Sequence, residues 1–439
     1  MTLRVTVIGT GYLGAVHAAC LADLGFEVLG LDTDTAKIDS LAGGAAPFYE
    51  PGLDDVLQRA LASGRLRFTT SFAEAAEFGD VHFLCVGTPQ KRGSHAADMT
   101  YVDGALESLA RELTRPSLVV GKSTVPVGTA DRLARRLAEL APVGDAAELA
   151  WNPEFLREGF AVQDTVAPDR LVIGVRSAGA EATLREVYAT QLANGVPMVV
   201  TDFATAELVK VAANSFLATK ISFINAMAEI CDVTGADVAQ LAEAIGHDER
   251  IGKQFLRAGL GFGGGCLPKD IRAFMARAGE LGVGESVAFL REVDEVNLRR
   301  RHRAVEIARD LAGGDVLGVK IACLGAAFKP DSDDVRDSPA LHVASALQVE
   351  GADVVVYDPK AMGNAHRQFP TLALAESAAE AVADADVVLL LTEWTEFREL
   401  DPQALLEVVA QPRILDARNV LDPVRWRSAG WTYRGLGRP

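Results

Sequence analysis

The chain has 439 residues, 49% of them hydrophobic, and a formal net charge of −17 at pH 7. The length predicts about three domains of roughly 150 residues each, and the acidic charge argues against nucleic-acid binding and against binding to an anionic membrane. The five cysteines and seven histidines form no metal-ligand pattern. We find no signal peptide and no membrane-spanning run, so we expect a cytoplasmic protein without a metal.

The N-terminal stretch predicts a dinucleotide-binding turn. An apolar strand at residues 5–8 runs into Gly9-Thr10-Gly11-Tyr12-Leu13-Gly14, and a helical stretch follows. Gly9 would make the tight turn and Gly11 would let a pyrophosphate approach the backbone. Gly14 would permit close packing of helix against strand, with the helix N-terminus facing the phosphates.

A second strand, at residues 27–31, ends on Asp32. This carboxylate would accept a hydrogen bond from a ribose 2′-hydroxyl and repel a 2′-phosphate, so NAD is favoured over NADP. Lys37 follows about one helical turn later. It either contacts the adenosine ribose or is simply solvated.

Two more strands end in small and polar residues, where open parallel sheets bind ligands. Residues 81–86 form an apolar strand with Cys85 in its core, and it breaks at Gly87-Thr88-Pro89. The strand beginning at Leu118 ends in hydroxyls and glycine, and Thr124 could hold a water or a ligand oxygen, or belong to an ordinary turn. Beyond the next strand, Glu154 and Glu158 would share a face of a helical turn, as a solvated surface or as a proton-handling pair.

Residues 203–234 predict one long helix, ended by Gly235 and spanning roughly 45 Å. Lys210 and Asn214 lie four residues apart in apolar company. They could donate to an oxyanion, or the lysine could extend past the core to solvent. Helices predicted at 238–245, 268–280 and 287–311 make the middle of the chain a plausible dimer interface.

The glycine-rich run at residues 259–270 contains Cys266. Pro268 suits the first turn of a helix, so the cysteine would sit just ahead of a helix N-terminus with Lys269 close by. Both influences favour a thiolate. Asp270, one turn further, could orient a water or move a proton. The alternative is a flexible loop that holds a buried cysteine.

A second α/β run begins near residue 319, with strands expected at 319–325, 354–357, 387–391 and 414–416. It lacks the three-glycine fingerprint, so we expect no second NAD. In the loop after its first strand, Lys329 and Arg336 could reach a phosphate or pair with neighbouring aspartates. The predicted fold class is α/β, with two Rossmann-like doubly wound domains joined by a long central helix and a helical dimerisation region.

With these motifs assembled, the sequence resembles the UDP-glucose 6-dehydrogenase family over essentially its whole length. The matching stretches are residues 9–14, 88–89, 123–129, 152–159, 210–221, 250–255, 261–270 and 328–336. Related GDP-mannose and UDP-N-acetylhexosamine dehydrogenases share the architecture, and the run around Asn214 looks like the UDP-glucose branch. Leu267 and Arg257 depart from the aromatic residue and the lysine of some members, and both lie near the sugar-nucleotide pocket.

The resemblance implies three domains: NAD-binding at 1–201, helical dimerisation at 202–312 with the catalytic cysteine, and UDP-sugar binding at 313–439. It implies a homodimer, or a higher homo-oligomer, that oxidises UDP-glucose to UDP-glucuronate. The implied catalytic residues are Cys266 as nucleophile, Lys210, Asn214 and Asp270 as its assistants, and Thr124, Glu154 and Glu158 for water, proton transfer or ligand contact.

The resemblance also implies the binding residues. Those for NAD are Gly9, Gly11, Leu13, Gly14, Asp32, Lys37, Thr88, Thr124, Glu158, Lys269 and Arg336. Those for the sugar nucleotide are Glu154, Phe155, Leu156, Arg157, Glu158, Lys210, Asn214, Phe255, Leu256, Arg257, Ala258, Gly259, Gly263 and Lys329, and Arg250 would reach the substrate of the partner subunit.

The chemistry explains why such an enzyme carries a cysteine. Oxidation of a primary alcohol to a carboxylate passes through an aldehyde, which a thiolate can trap as a thiohemiacetal before a second oxidation gives a thioester for hydrolysis. Other functions stay open: the same reaction on GDP-mannose or a UDP-N-acetylhexosamine, a two-electron hydroxyacid dehydrogenase with a structural Cys266, or a non-catalytic NAD-binding scaffold.

Overall fold

The computed structural model describes residues 3–439. The chain forms two compact units. One comprises the chain up to Ala213 together with Arg272–Gly282, and the other comprises Asn214–Ile271 together with Val283–Pro439. Within the described residues, no helix has the length and apolar character needed to cross a bilayer.

The first unit contains a sheet of eight strands within the described residues. The strands are β1 Arg4–Ile8, β2 Glu27–Leu31, β3 Leu66–Thr69, β4 Val81–Leu84, β5 Ser117–Gly121, β6 Ala147–Trp151, β7 Leu171–Gly174 and β8 Met198–Thr201. Their order is β3-β2-β1-β4-β5-β6-β7-β8, and neighbouring pairs are parallel except β6 with β7. The first six positions follow the order of dinucleotide-binding sheets.

Helices cover both faces of this sheet. They are α1 Tyr12–Asp23, α2 Thr35–Ala42, α3 Leu53–Ala62, α4 Phe72–Phe78, α5 Thr100–Ala110, α6 Thr129–Leu140, α7 Ala161–Val166, α8 Ala178–Val187 and α9 Ala189–Ala193. Because side chains alternate along a strand, Val5 and Val7 of β1 join one hydrophobic cluster while Ile8 joins another. Cys85 is buried, as predicted, but it follows the end of β4 instead of lying within the strand.

The middle of the chain is helical. Its helices are α10 Phe203–Thr234, α11 Val238–Gly246, α12 Leu267–Glu280 and α13 Phe289–Ala312. The bounds of α10 are the predicted ones, because its apolar pattern continues unbroken to Gly235, whose φ of +75° suits the end of a helix. Residues of both α10 and α12 belong to both units.

The second unit contains a smaller sheet, parallel throughout, with strands β9 Lys320–Leu324, β10 Asp353–Tyr357, β11 Ala373–Leu374, β12 Val387–Leu390, β13 Arg413–Asp416 and β14 Thr432–Gly435. Their order is β11-β10-β9-β12-β13-β14. Its helices are α14 Pro339–Val349, α15 Met362–Gln368, α16 Ala378–Val382, α17 Thr395–Arg398, α18 Pro402–Leu405 and α19 Pro423–Ser428. The predicted class, mixed α/β with two doubly wound sheets and a long central helix, is confirmed.

Candidate active site

The glycine turn after β1 has the geometry that its sequence predicts. Gly9 has a φ of +88°. A Cβ on Gly14 would lie 1.9 Å from the carbonyl oxygen of Gly9, whereas a Cβ on Gly11 would meet no atom within 4 Å. Gly14 is therefore needed for packing, and Gly11 leaves space in front of the backbone. No acidic side chain lies in the first turn of α1, so its N-terminus suits a pyrophosphate.

Asp32 lies at the end of β2 and is almost fully buried. One carboxylate oxygen accepts from the Thr10 N–H at 2.9 Å and from Lys37 Nζ at 2.8 Å, and the other accepts from the Asp34 N–H. Burial alone would raise the pKa of Asp32, but these donors outweigh it and lower the pKa. Lys37 is thus an ion-pair partner of Asp32 and not a solvated side chain, and the turn and this carboxylate together fit NAD.

The loops after β4 and β5 are tied to each other. Ser123 Oγ donates to the carbonyl of Val86 at 2.6 Å, and Thr88 Oγ1 donates to the carbonyl of Thr124 at 2.9 Å. Thr124 is half-buried in this arrangement. The structure therefore brings two of the predicted site residues, Thr88 and Thr124, into direct contact.

The segment that carries Glu154 and Glu158 is not helical, so the predicted shared helical face is wrong. Glu154 Oε1 accepts from the N–H groups of Phe155 and Leu156 at 2.8 and 3.0 Å, which replaces helical bonding with a local side-chain cap. Glu158 precedes Gly159, whose φ is +81°.

Lys122 is the partner of Glu154, and the sequence analysis missed it. Its Nζ lies 2.9 Å from Glu154 Oε2 and donates to Asn152 Oδ1 at 3.0 Å and to Tyr188 OH at 3.3 Å. Burial would raise the pKa of Glu154, but the charge and hydrogen bond of Lys122 outweigh it and lower the pKa. The available signal was a charged residue placed directly after a buried apolar strand.

Gly159 is held by a second carboxylate that sequence reasoning did not find. Glu50 is buried and accepts from the N–H groups of Gly159 and Ala161, each at 2.7 Å. The hydroxyl of Tyr12, in the glycine turn, donates to the same carboxylate. These contacts fix the backbone next to Glu158. Arg157 is exposed and pairs with Asp164.

Lys210 lies on α10 and is half-buried. Its Nζ lies 5.5 Å from the ring centroid of Phe155, and its charge contributes to the lowered pKa of Glu154. Within the first unit, the structure therefore brings together Lys210, Glu154 and Phe155. The adjacent Leu156 is half-buried, as is Leu13 in the glycine turn.

In the second unit, Cys266 directly precedes α12, as predicted, and it is the one exposed cysteine of the five, all of which lie in the described part of the chain. The Asp270 N–H donates to the Cys266 carbonyl at 2.9 Å, which places the two residues on the same helical turn. Asp270 is buried, and its carboxylate accepts from Asn214 Nδ2 and from Lys269 Nζ, both at 2.7 Å. The other four cysteines are buried.

The glycine-rich loop before Cys266 is held by buried side chains. Asn297 of α13 exchanges two hydrogen bonds with the backbone of Phe262, at 2.7 and 2.9 Å, and Asn225 accepts from the Gly259 N–H at 2.9 Å. Arg418 donates to the carbonyl of Gly261 at 3.0 Å. The alternative of a flexible loop that holds a buried cysteine is therefore wrong, since the loop is anchored and Cys266 is exposed. No local sequence pattern indicates these distant anchors.

The stretch before Gly259 exposes some side chains and buries others. Phe255 is exposed with a φ of +63°, and Arg257 is exposed. Leu256 and Ala258 are buried in a small hydrophobic cluster. Arg250 is exposed and pairs with Asp248 in its own chain.

The loop after β9 packs against the glycine run. A Cβ on Gly264 would lie 2.8 Å from the ring of Phe328, and a Cβ on Gly263 would lie 2.4 Å from the carbonyl oxygen of Asp337. Lys329 Nζ lies 5.6 Å from the ring centroid of Phe328. Arg336 is exposed and forms an ion pair with Asp334 of the same loop at 2.7 Å. Across residues 3–439, no cluster of three His, Cys, Asp or Glu side chains is placed to bind a metal.

Comparisons with known proteins agree with this geometry. Three domain models of the UDP-glucose/GDP-mannose dehydrogenase family match in order: NAD binding domain at residues 3–192, central domain at 204–299 and UDP binding domain at 322–423. The UDP-glucose 6-dehydrogenase of Rhizobium meliloti is 43% identical over 439 residues, with all of both chains covered. The chain belongs to the UDP-glucose/GDP-mannose dehydrogenase family. It is an NAD-dependent oxidoreductase.

Solved structures give the same result. A UDP-glucose dehydrogenase from Pyrobaculum islandicum superposes with a TM-score of 0.92 at 38% identity, covering 100% of this chain and 98% of that one. A UDP-D-ManNAc dehydrogenase from Pyrococcus horikoshii superposes with a TM-score of 0.86 at 27% identity, covering 99% of both chains.

Proposed function

We propose that this enzyme oxidises UDP-glucose to UDP-glucuronate in a four-electron reaction that reduces two NAD, with Cys266 as the nucleophile. The observation that carries the proposal is the placement of Cys266. It is exposed while the other cysteines are buried, and it directly precedes α12 with Asp270 on the same turn. The helix N-terminus favours negative charge on the sulfur, and a thiolate is the nucleophilic form.

NAD, when bound, accepts the hydride that each of the two oxidations removes from the sugar carbon. After the first oxidation, the Cys266 thiolate would add to the aldehyde carbon and hold it as a thiohemiacetal. The second oxidation leaves a thioester on the same sulfur. Attack by water on the thioester carbonyl then releases the carboxylate and restores the thiolate.

Asn214, Asp270 and Lys210 are suited to stabilise the charges that develop. An amide nitrogen carries two protons, so Asn214 can keep its bond to Asp270 and donate its second proton to an oxyanion. Asp270 is fixed in direction by Asn214 and Lys269, which suits a group that passes a proton to or from a water. Lys210 would supply a positive charge, while Thr124 and Glu154 would position the hydrolytic water.

The sugar nucleotide would be held by the glycine-rich loop and its neighbours. The residues proposed for this role are Phe255, Leu256, Arg257, Ala258, Gly259, Gly263 and Lys329, together with the segment 154–158. Support comes from the buried anchors of the loop, Asn225, Asn297 and Arg418, since a recognition loop must be held in place before it binds. The residues proposed for NAD are those named in the sequence analysis.

UDP-glucose is proposed over other nucleotide sugars because the likeness is greater to proteins that are named for it. The Pyrobaculum islandicum structure is more similar in both sequence and fold than the UDP-D-ManNAc dehydrogenase. Leu267 and Arg257 lie in the segment where family members differ, so they are the residues to exchange if the preference proves different.

We propose the domain bounds 1–201, 202–312 and 313–439, and a homodimer formed through the middle segment. Support comes from a row of exposed apolar side chains at seven-residue spacing on α10: Phe216 at 67% exposure, Phe223 at 50% and Ile230 at 52%. Such a stripe of exposed apolar side chains is typical of helix–helix association. Sedimentation equilibrium should give twice the mass of the chain, and a monomer at micromolar concentration would contradict the proposal.

The substrate is tested with a panel of UDP-glucose, GDP-mannose and UDP-N-acetylhexosamines in the presence of NAD. We expect the highest kcat/KM with UDP-glucose and UDP-glucuronate as the product. A product that has lost only two electrons would instead favour a hydroxyacid-type dehydrogenase. NAD binding without turnover on any member of the panel would favour a scaffold protein.

The role of Cys266 is tested with Cys266→Ser, and Cys231→Ser is the matched control because Cys231 is buried on α10. Loss of the nucleophile should lower the rate of UDP-glucuronate formation by about 10³-fold or more, as removal of catalytic nucleophiles typically does. The control should stay within about threefold of wild type. Rapid full turnover by Cys266→Ser, measured by chemical quench, would remove Cys266 from the nucleophile role.

A further inference from the structure

Lys122 occupies an unusual place for a lysine. It directly follows β5 and is only 3% exposed. Its ammonium group has three protons and meets three acceptors: Glu154 Oε2 at 2.9 Å, Asn152 Oδ1 at 3.0 Å and Tyr188 OH at 3.3 Å. Tyr188 OH also donates to Asn152 Oδ1 at 2.5 Å. The lysine is therefore held in one position, and Glu154 is its anionic partner.

Every described contact of the Glu154 carboxylate comes from a donor. Oε1 accepts two backbone N–H groups and Oε2 faces Lys122. The side chain of Glu154 keeps a 20% exposure, so it is partly accessible. An enclosed carboxylate without a cation would be easier to protonate. The ion pair thus favours the charged form of Glu154 and, together with the two backbone N–H groups, fixes its direction.

The other ionisable groups near this pair have defined states. Lys210 adds positive charge at Glu154, while burial raises the pKa values of Cys85 and Tyr188, so both stay neutral. His17 is buried and near Lys122, and burial followed by the charge of Lys122 lowers its pKa well below the usual value. His17, Cys85 and Tyr188 are therefore neutral at moderate pH, and the charges of Lys122 and Lys210 act on Glu154.

We propose that Lys122 is a positioning residue that keeps the Glu154 carboxylate ionised and aimed, so that Glu154 acts as a permanent hydrogen-bond acceptor for the hydrolytic water. This inference rests on the proposed function, in which Glu154 positions that water. Lys122 itself contacts no reacting atom in this scheme, and its whole effect on catalysis passes through one carboxylate. Loss of its charge must then appear as a change in the pH dependence of turnover.

The test compares the pH profiles of kcat for wild type, Lys122→Met and Lys122→Arg between pH 5 and 10, with UDP-glucose and NAD. Removal of the cation raises the Glu154 pKa, so the acidic limb of the Lys122→Met profile should move upward by at least about one pH unit. KM for both substrates should change less than about threefold. Lys122→Arg keeps the charge, so its acidic limb should lie at the wild-type position even where its kcat is lower.

A second comparison serves if Lys122→Met is poorly folded, because it leaves a carboxylate without its cation. In the double variant Lys122→Met with Glu154→Gln, neither charge remains. Its kcat should equal that of Glu154→Gln alone within about threefold, since both changes act through one group. A further loss beyond tenfold in the double variant would overturn the proposal.

The remaining outcomes are also decisive. Equal loss at every pH for Lys122→Met, or a Lys122→Arg profile that follows that of Lys122→Met, would mean that Lys122 only supports the fold. Wild type that forms no UDP-glucuronate would refute the proposed function and with it this inference. Wild type that forms UDP-glucuronate beside an unshifted Lys122→Met profile would refute the inference alone.

Discussion

In the first sheet, β1 runs through the glycine turn directly into α1, whereas in the second sheet β9 is followed by the loop 325–338 before α14 begins. Both first strands are followed by a glycine with positive φ, +88° at Gly9 and +118° at Gly325. Only the first sheet then places two more glycines at the start of a helix. The same topology thus provides a turn that suits a pyrophosphate in one sheet and a long loop beside the glycine run in the other.

The aspartates that follow the second strand of each sheet, Asp32 and Asp358, also differ in their hydrogen-bond partners. Asp358 is buried and accepts five hydrogen bonds, from four backbone N–H groups and from Trp394 Nε1 at 3.0 Å. Asp32 instead accepts from two backbone N–H groups, from the Thr10 hydroxyl and from Lys37, whose side chain keeps 26% of its surface exposed. A carboxylate saturated by buried donors stabilises its own unit, whereas a carboxylate with a partly exposed lysine partner is suited to exchange that lysine for a ribose.

The largest expected effect comes from the glycines that only the first sheet possesses. Gly14→Ala would place a Cβ at 1.9 Å from a backbone oxygen, so we expect a loss of about 4 kcal/mol in stability and loss of NAD binding. Gly11→Ala meets no protein atom, so it should keep wild-type stability within about 0.5 kcal/mol and lower NAD affinity about 10- to 100-fold. Titration calorimetry with NAD and with UDP measures the affinity of each variant for the two ligands, and urea denaturation measures its stability. Reduced UDP affinity in Gly11→Ala would contradict the assignment of the glycine turn to NAD alone.

Replacement of Asp358 and of Asp32 by alanine should give opposite results: the first should mainly lower stability, and the second should mainly raise the KM for NAD. Asp358→Ala leaves buried donors unpaired and should cost about 3–5 kcal/mol in unfolding free energy, measured by urea denaturation. Asp32→Ala should cost less than about 2 kcal/mol and raise the KM for NAD about 10- to 100-fold, the value of a charged hydrogen bond. Equal stability losses in the two variants would contradict the assignment of one carboxylate to the fold and the other to the ligand.

A smaller expected effect concerns the N-terminal caps of α6 and α14, of which only the cap of α6 should make stability depend on pH. Glu207 accepts from the N–H groups of Gly128 and Ala130 at the start of α6, and burial raises its pKa to about 7. The corresponding cap of α14 is the hydroxyl of Ser338, which does not titrate in this range.

Because the folded state holds the Glu207 proton more tightly than the unfolded chain does, its contribution to stability is fully present below pH 4.5 and is lost as the pH rises through 7. The change amounts to at most about 3 kcal/mol. Glu207→Gln should remove this slope, so the urea midpoints of wild type and variant should diverge between pH 5 and 8. Parallel midpoints over this range would show that Glu207 does not titrate there.

The fold was largely predictable because its signals are local. The bounds of α10 follow from one uninterrupted apolar pattern and Gly235, and the glycine turn follows from its spacing. Short strands such as β7, β8, β11 and β14 were not predicted, although β4 and β12, which have only four residues, were predicted from their continuous apolar runs. The helical reading of Glu154 and Glu158 failed because Glu154 caps its own backbone, a choice that the i,i+4 spacing does not reveal.

Within the candidate site, the placement of Cys266 directly before α12, with Asp270 one turn further, was predictable because it depends on sequence neighbours. The site was not predictable where the meaning comes from distant partners. Lys122 gains its role from Tyr188 and Glu154, and the glycine-rich loop gains its rigidity from Asn297. Such partners are separated by tens of residues in sequence, so only the folded chain brings them together.

The central claim is that one sulfur supports two successive oxidations of one sugar carbon, and the most direct test is a stoichiometry. Wild-type enzyme is given a limiting, known amount of UDP-glucose with excess NAD, and NADH is counted to completion while the sugar product is identified by mass. The account predicts two NADH for each UDP-glucose and UDP-glucuronate as the only product. One NADH for each UDP-glucose, with an aldehyde as the final product, would contradict it.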